Sequence, residues 1–452
     1  MTPALDLSRP RRVHIVGVTG TGMSAYASVL AAAGHQVTGS DAAPEPAVAE
    51  RLRAAGVVVH AGHDQGNVPA DVEAVAASTA VPAGNPELAE ARRRGVPVLR
   101  RADLLAALCA GRRTLAVSGT HGKTTTTTFL VHALRGAGRR PSFVVGADVP
   151  SLGHGAHWDD GDDLLVAEAD ESDGTFLELP RSLAVVTSVE ADHLATYGGT
   201  IEGLRAAFSR FVLETDGPVV LGIDDPGAAA LLRSRPDAVT FGTDEGASFR
   251  LTDLSFERMR SRFTLRYAGG ASAVDLPAPG LHNARNAAAA VAAAAVLGAD
   301  PERAASALTA YRGVHRRFEH RGERNGVSFV DDYAHLPGEV RAVLAAARGW
   351  GRVVAVFQPH RFSRTEEVHA QFAGAFADAD ILVVAGIYGA GEEPRPGVTG
   401  RLVADASGHP AVTYVEDRSA LAATVRGLLR PGDLCLTLGA GDITSLADEL
   451  LR

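Results

Sequence analysis

Three times along this chain, short runs of Val, Ile and Leu end in glycine turns and are followed by Ala- and Leu-rich stretches of helical length. Short strands that are apolar at nearly every position suit a sheet covered on both faces. The helices between them then make parallel crossovers. The first series reads VHIVGV, SAYASVLAAAG, HQVTGSD, VVVH, AVAAST and VPVL. The second starts at TLAVSG and continues through FVVGA, LLVAEAD, LAVVTSVEADH and VVLGI. Hairpin-like alternation follows in FRLTDLSFERMRSRFTLRYAGG, then a Pro/Gly stop and an Ala-rich helix. The third follows GVHRRFEHRGERNG, a charged segment expected to be a hinge, and runs VSFVDDYAHLP, VVAVFQPHRFSR, ILVVAGIYGAG, AVTYVED and DLCLTLGAGDI. The expected fold class is α/β in three domains, spanning 1–110, 111–318 and 319–452.

A length of 452 residues accommodates three cores. A net charge of −9 with both signs scattered argues against a nucleic-acid or anionic-membrane partner. Cys109 and Cys435 form no CxxC pair, so neither a disulfide framework nor a cysteine zinc site is expected. The N-terminal stretch has no signal-like apolar core, and AAAAVAAAAVLGA is too short to span a bilayer, so a cytoplasmic protein with a packed helix there is expected.

Lys123 is the only lysine; every other basic residue is arginine. It lies in SGTHGKTTTTT, after the strand TLAVS and at the start of a helix. In that context Gly119, Thr120, His121, Gly122, Lys123, Thr124 and Thr125 form a phosphate loop. Backbone N–H groups crowd round the phosphates, Lys123 reaches the terminal ones, and the Thr124 hydroxyl can ligate magnesium. A planar arginine fork cannot take the place of a compact ammonium among phosphates, which accounts for the one lysine retained. Thr126 to Thr128 are expected to be ordinary helix positions.

GVTGTGM, from Gly17 to Met23, also joins a strand to a helix, and Asp41 ends the next strand, as where a pyrophosphate rests on a helix N-terminus and an acid meets a ribose. This loop alone fits NAD or a nucleotide sugar, or a tight turn with no ligand. Acids follow two later strands: Glu168, Asp170, Glu171 and Asp173 in VAEADESD, and Glu190 and Asp192 beside His193 in VEADH. Glu168 and His193 are the candidate magnesium ligands, whereas Glu171 and Asp173 are expected to be solvated loop acids. DDYAHLP brings Asp331, Asp332, Tyr333 and His335, and QPHRFSR brings His360, Arg361 and Arg364, arginines that could fork onto a carboxylate or form an exposed basic turn. Arg316 and Arg317 in the hinge could contact phosphate or only solubilise the linker.

Taken in order, VHIVGVTGTGM, VTGSD, SGTHGKTTTT, AEADESDGTF, VEADH, LHNARNAAAA, HRRFE, DDYAHLP, FQPHRFSR and LGAGDI resemble the Mur ligases over essentially the whole chain, and most closely their alanine-adding branch. The resemblance implies a Rossmann-like N-terminal domain for a UDP-sugar, a central ATPase and a Rossmann-like C-terminal domain for an amino acid, with ATP and Mg2+ as cofactors. It assigns Gly20, Gly22, Met23, Ser40, Asp41 and His63 to UDP. Lys123 and Thr124 would serve ATP and magnesium, Glu168 and His193 the metal, and His282, Asn283 and Asn286 the adenine side. Arg317 would meet ATP phosphate, with Asp332 also on the nucleotide side. Tyr333, His335, His360, Arg361 and Arg364 would surround the amino acid and the sugar carboxylate. The partners are then small molecules, and the protein a monomer or weak homodimer.

Later-acting members carry a carbamylated lysine after the DH motif; this chain has none there. Departures from the family pattern occur at Thr19, Thr21, Leu194, Ala195 and Leu336. They leave open a paralogue joining a different acid and amine in specialised metabolism. A nicotinamide-dependent oxidoreductase would leave the second phosphate loop unexplained, and a non-catalytic nucleotide-binding regulator would show no ATP turnover.

Overall fold

The computed structural model describes residues 5–78 and 80–452. The first series makes a five-stranded parallel sheet from β1 (Arg12–Val16), β2 (Gln36–Asp41), β3 (Val58–Ala61), β4 (Ala74–Ala77) and β5 (Val98–Arg100), in the order β3-β2-β1-β4-β5. Four helices accompany it: α1 (Thr21–Ala32), α2 (Pro46–Ala54), α3 (Pro86–Arg93) and α4 (Arg101–Ala110). Alternation along β1 explains the layering. Val13 and Ile15 share a core with Leu30 of α1, Leu52 of α2 and Leu104 of α4, while Val16 joins Leu88 and Ala91 of α3.

The second sheet comprises β6 (Arg113–Ser118), β7 (Ser142–Val144), β8 (Ala156–His157), β9 (Leu164–Glu168), β10 (Leu183–Val186), β11 (Val219–Gly222), β12 (Val239–Gly242), β13 (Phe249–Glu257), β14 (Arg260–Tyr267) and β15 (Gly270–Leu276). Their order is β15-β14-β13-β12-β11-β10-β6-β9-β7-β8. The hairpin read from the sequence is β13–β14, extended by a third strand. β6 lies between β10 and β9, parallel to both, so the loops that follow these three strands emerge at one end of the sheet. The phosphate loop, VAEADESD and VEADH are those three loops. α5 (Lys123–Gly136) follows β6, and the Ala-rich segment lies in the helix Leu281–Ala295, fully buried from Ala287 to Ala294.

The third sheet contains β16 (Glu319–Arg324), β17 (Val327–Asp332), β18 (Val353–Phe357), β19 (Ile381–Ala385), β20 (Val412–Val415) and β21 (Leu434–Leu438), ordered β16-β17-β21-β18-β19-β20. It is parallel except for β16, which pairs antiparallel with β17. The expected hinge is corrected here: from Glu319 onward the charged segment is an edge strand. Its charges face outward while its backbone bonds to β17, the usual protection of an open sheet edge.

By compactness the chain divides into two units. One holds residues up to Thr252 with Thr264–Ala273 and Arg285–Ala310, and the other holds Asp253–Phe263, Val274–Ala284 and Tyr311–Arg452. Among the described residues no helix is long and apolar enough to cross a membrane.

Candidate active site

The phosphate loop is shaped by two glycines that no other residue could replace without displacement. Gly119 has φ +132°, and a Cβ there would lie 2.1 Å from Thr187 Oγ1. Gly122 has φ +80°, and its Cβ would lie 2.5 Å from Asn286 Oδ1. Neighbouring strand ends lace the loop in place: Thr120 N donates to the Ser188 carbonyl at 2.9 Å, and Glu190 N donates to Thr120 Oγ1 at 2.8 Å.

Lys123 Nζ donates to the Gly119 carbonyl at 2.9 Å and to Glu171 Oε1 at 3.0 Å, with Asp170 Oδ1 at 3.9 Å. Burial opposes the lysine's charge. Glu171, Asp170 and Glu168 outweigh it and hold the ammonium above the usual lysine range. Asp170 is also desolvated, but Lys123 and the bonds from Ser172 hold it below the carboxylate range. Glu171 goes the other way: burial pushes it up, reinforced by Asp170 and opposed by Lys123. Both acids face Lys123, Glu171 at 2.9 Å and Asp170 at 3.9 Å. The expectation that Glu171 is a solvated acid is overturned, since its side chain is 2% exposed. The acid run ends a buried strand and folds back under the loop, which a sequence shows only as polarity. Asp173 is exposed and accepts from Thr175 N at 3.0 Å, as an ordinary loop acid does.

Thr124 Oγ1 donates to Glu168 Oε1 at 3.1 Å, and Gly146 N donates to Glu168 Oε2 at 2.8 Å. A Cβ on Gly146 would fall 2.8 Å from that carboxylate, so the Glu168 side chain would have to shift to admit one. His193 has φ +52°, and its Nε2 pairs with Asp192 Oδ2 at 3.1 Å. The structure thus joins Thr124 to Glu168 directly and places His193 on the neighbouring loop. Among the described residues no three His, Cys, Asp or Glu side chains gather into a metal cage. Thr125 to Thr128 are buried, and Thr127 and Thr128 donate to carbonyls one turn back along α5.

In the N-terminal sheet Gly20 caps α1, and Asp41 accepts from Thr19 N at 3.1 Å and Thr19 Oγ1 at 2.6 Å, tying the glycine loop to the end of β2. Met23 and Ser40 are buried, so their side chains belong to the interior and what they offer a ligand is backbone. The side chain of Thr21 lies outside the described residues. Sequence reasoning missed Arg101, at the start of α4. A Cβ on Gly22 would sit 3.2 Å from its Nη1, which places a guanidinium at the mouth of the glycine loop.

On the third sheet, Tyr333, His335, His360 and Arg364 come together. His335 stacks edge-on against both Tyr333 and His360, and Arg364 Nη1 approaches His360 Nδ1 at 3.3 Å. Tyr388, from an Ile-Tyr-Gly loop that gave no signal, stacks on His360 at 5.8 Å. Arg361 is exposed with φ +67°, its N–H donating to the Tyr388 carbonyl. The Arg316 and Arg317 guanidiniums both lie over Tyr333, at 4.9 and 5.2 Å, and Arg316 also donates to the carbonyls of Gly439, Ala440 and Gly441. Asp332 is pushed up to about 6 by burial, which Arg317 partly offsets; it accepts from Phe318 N and Ala334 N. In the helix Leu281–Ala295, Asn286 abuts the phosphate loop, while Asn283 Nδ2 donates to the Pro279 carbonyl at 2.7 Å.

His360 is pushed down to about 4 by burial, reinforced by His335, Arg364 and Arg361. A histidine with a lowered folded pKa contributes stability that is complete above the unfolded value of about 6.5 and is lost as pH falls toward 4. His360→Gln should therefore melt closer to the parent, or above it, at pH 4.5 than at pH 7.5. Thermal scans at the two pH values would check this, and a constant gap would refute it.

Family models match in chain order: the Mur ligase family catalytic domain over residues 12–113, the Mur ligase middle domain over 117–294 and the Mur ligase glutamate ligase domain over 316–441. The chain belongs to the Mur ligase family. UDP-N-acetylmuramate--L-alanine ligase of Rubrobacter xylanophilus is 46% identical, covering 97% of this chain and 99% of its own. The protein so named from Kineococcus radiotolerans is 48% identical, covering 99% and 97%. The crystal structure of UDP-N-acetylmuramate-alanine ligase from Thermotoga maritima superposes with a TM-score of 0.79 at 30% identity, covering 97% of this chain and 98% of that one. As in the family, the arrangement is a three-domain α/β one.

Proposed function

We propose that this Mur ligase joins L-alanine to the carboxylate of UDP-N-acetylmuramate at the expense of ATP, in peptidoglycan precursor synthesis in the cytoplasm. The reading is carried by end-to-end similarity, at 46% and 48% identity, to proteins that bear that activity in their names. The sequence departures at Thr19, Thr21, Leu194, Ala195 and Leu336 leave the phosphate machinery intact and bear on sugar-nucleotide and amino-acid specificity, where the end-to-end similarity favours the alanine-adding reading over a paralogue. Domains of 1–110, 111–318 and 319–452 then hold sugar nucleotide, ATP and amino acid in turn.

The residues fit the groups they would hold. Gly119 and Gly122 leave a cradle that a Cβ would fill, and the Thr124 hydroxyl with the Glu168 carboxylate is a hard oxygen pair suited to magnesium. Thr124, Glu168 and His193 would hold that ion, with remaining positions left to phosphate and water. Bound there, magnesium offsets charge on the transferring phosphoryl group. A sugar carboxylate oxygen attacks the γ-phosphorus and ADP leaves. The neutral amine of alanine then attacks the acyl carbon, phosphate leaves, and the nitrogen gives up a proton. Lys123 binds phosphoryl oxygens through the first step by exchanging Glu171 and loop carbonyls for them. Arg361, Arg364 and Arg317 supply cations for carboxylate and phosphate, and His360 stays neutral near pH 7 as a hydrogen-bonding wall for the amino acid. Arg101 would meet the diphosphate of the sugar nucleotide.

The test is phosphate release with ATP, Mg2+ and UDP-N-acetylmuramate, alone and with L-Ala, Gly or L-Ser. L-Ala is expected to stimulate most. No stimulation by any of the three defeats the reading.

A further inference from the structure

Glu87, at the second position of α3, is a heavily bonded carboxylate away from the phosphate loop. It is fully buried, and sequence reading gave it no role. Its Oε1 accepts from Asn67 Nδ2 at 2.7 Å and Asp64 N at 3.2 Å. Its Oε2 accepts from the Ser40 hydroxyl and faces His14 Nε2 at 3.4 Å and His63 Nδ1 at 3.6 Å. Desolvation alone would raise its pKa, but bonds from His14, Ser40 and Asn67 bring it down to about 2, so it is an anion that only accepts. The N-terminal end of α3 adds its dipole.

These roles fix the protons. Ser40 gives its hydrogen to Glu87, so its oxygen can only accept from His63 Nδ1, which lies 3.0 Å away. His63 therefore carries its proton on Nδ1. Its Nε2, on a ring 21% exposed and with no hydrogen-bond partner among the described residues, presents a lone pair. His14 is locked in turn, with Nδ1 on Thr38 Oγ1 at 2.7 Å and Nε2 toward the carboxylate.

We propose that Glu87 is a positioning residue for the sugar nucleotide, acting through Ser40 to hold His63 as an acceptor that selects a base with a ring N–H, as uracil has, over one with a ring lone pair, as cytosine has. The inference rests on the sugar-nucleotide reading of this domain. A built acceptor rejects an analogue that brings a second lone pair to it far more strongly than an apolar pocket could. Glu87 of α3 is the charged group beside His63, and His14 of β1 and the Asp64 N–H meet the same carboxylate.

The test is calorimetric binding of UDP, CDP and ADP to the full chain. The unaltered protein should bind UDP at least about tenfold more tightly than CDP, a factor equivalent to about 1.4 kcal/mol. Glu87→Gln, whose amide cannot accept on both sides, should lose that preference while ADP affinity is retained. If Glu87→Gln does not fold, Ser40→Ala, which removes only the hydroxyl relay, should lose it instead. Glu87→Asp should restore part of it. A preference unchanged in a folded, ADP-binding variant overturns the positioning role, as does equal affinity of the unaltered protein for UDP and CDP. Absence of any UDP binding to the unaltered protein refutes the sugar-nucleotide reading itself.

Discussion

Lys123→Arg is expected to reduce turnover by roughly a hundred- to thousand-fold or more, the range seen when a preorganised charge-stabilising donor is removed, while the melting curve stays close to the parent's. The ammonium sits in a narrow space between the Gly119 and Thr120 carbonyls and the Glu171 carboxylate, with 15% of the side chain exposed. A guanidinium is longer and planar, with donors in a fixed fork. It can keep a salt bridge to Glu171 or Asp170, which preserves the fold, but it cannot enter among phosphoryl oxygens in the same geometry. Steady-state phosphate release checks the prediction. Activity within about tenfold of the parent, a barrier change of only about 1.4 kcal/mol, would overturn the account given for the chain's single lysine.

Gly119→Ala should damage nucleotide binding through shape rather than charge. Its backbone lies at φ +132°, and the new methyl carbon would fall 2.1 Å from Thr187 Oγ1 and 2.9 Å from the amide nitrogens of Thr187 and Ser188. Those atoms end β10, so they cannot yield without moving the central sheet, and the loop must move instead. A backbone held in such a region costs about 1–3 kcal/mol before any clash. ADP affinity is expected to fall at least about tenfold by calorimetry. Gly138→Ala is the matched control: φ is +84° there with nothing within 4 Å of the added carbon, so it carries backbone strain alone. Equal ADP affinity of Gly119→Ala and the parent would refute the cradle.

Much of the nucleotide site was legible because its chemistry is local in sequence. A phosphate loop needs its glycines, lysine and threonine within seven residues between a strand and a helix, and the structure keeps that order with Glu168 on Thr124. Glu171 was misread because a sequence displays an acid's charge but not the lysine it will fold against. Arg316 and Arg317 were adjacent and indistinguishable as residues; both lie over Tyr333, and Arg316 also ties down the Gly439–Gly441 loop. Tyr388 lacked any signal, because its function as the stacking partner of His360 depends on two loops meeting at one end of a sheet. The charged run after Arg317 read as a hinge because edge strands carry the same charges that linkers do.

By itself the sequence determined the α/β class, the three strand–helix series and the glycine loop with its lone lysine between β6 and α5. Strand periodicity, glycine placement and a lone lysine are constraints on neighbouring residues. Tertiary structure alone decided the partners of buried charge: Lys123 with Glu171 and Asp170, Arg316 with three carbonyls, and Glu87 with donors from two strands and one loop. A desolvated charge must find its counter-groups wherever the fold brings them, and those groups lie tens of residues away along the chain.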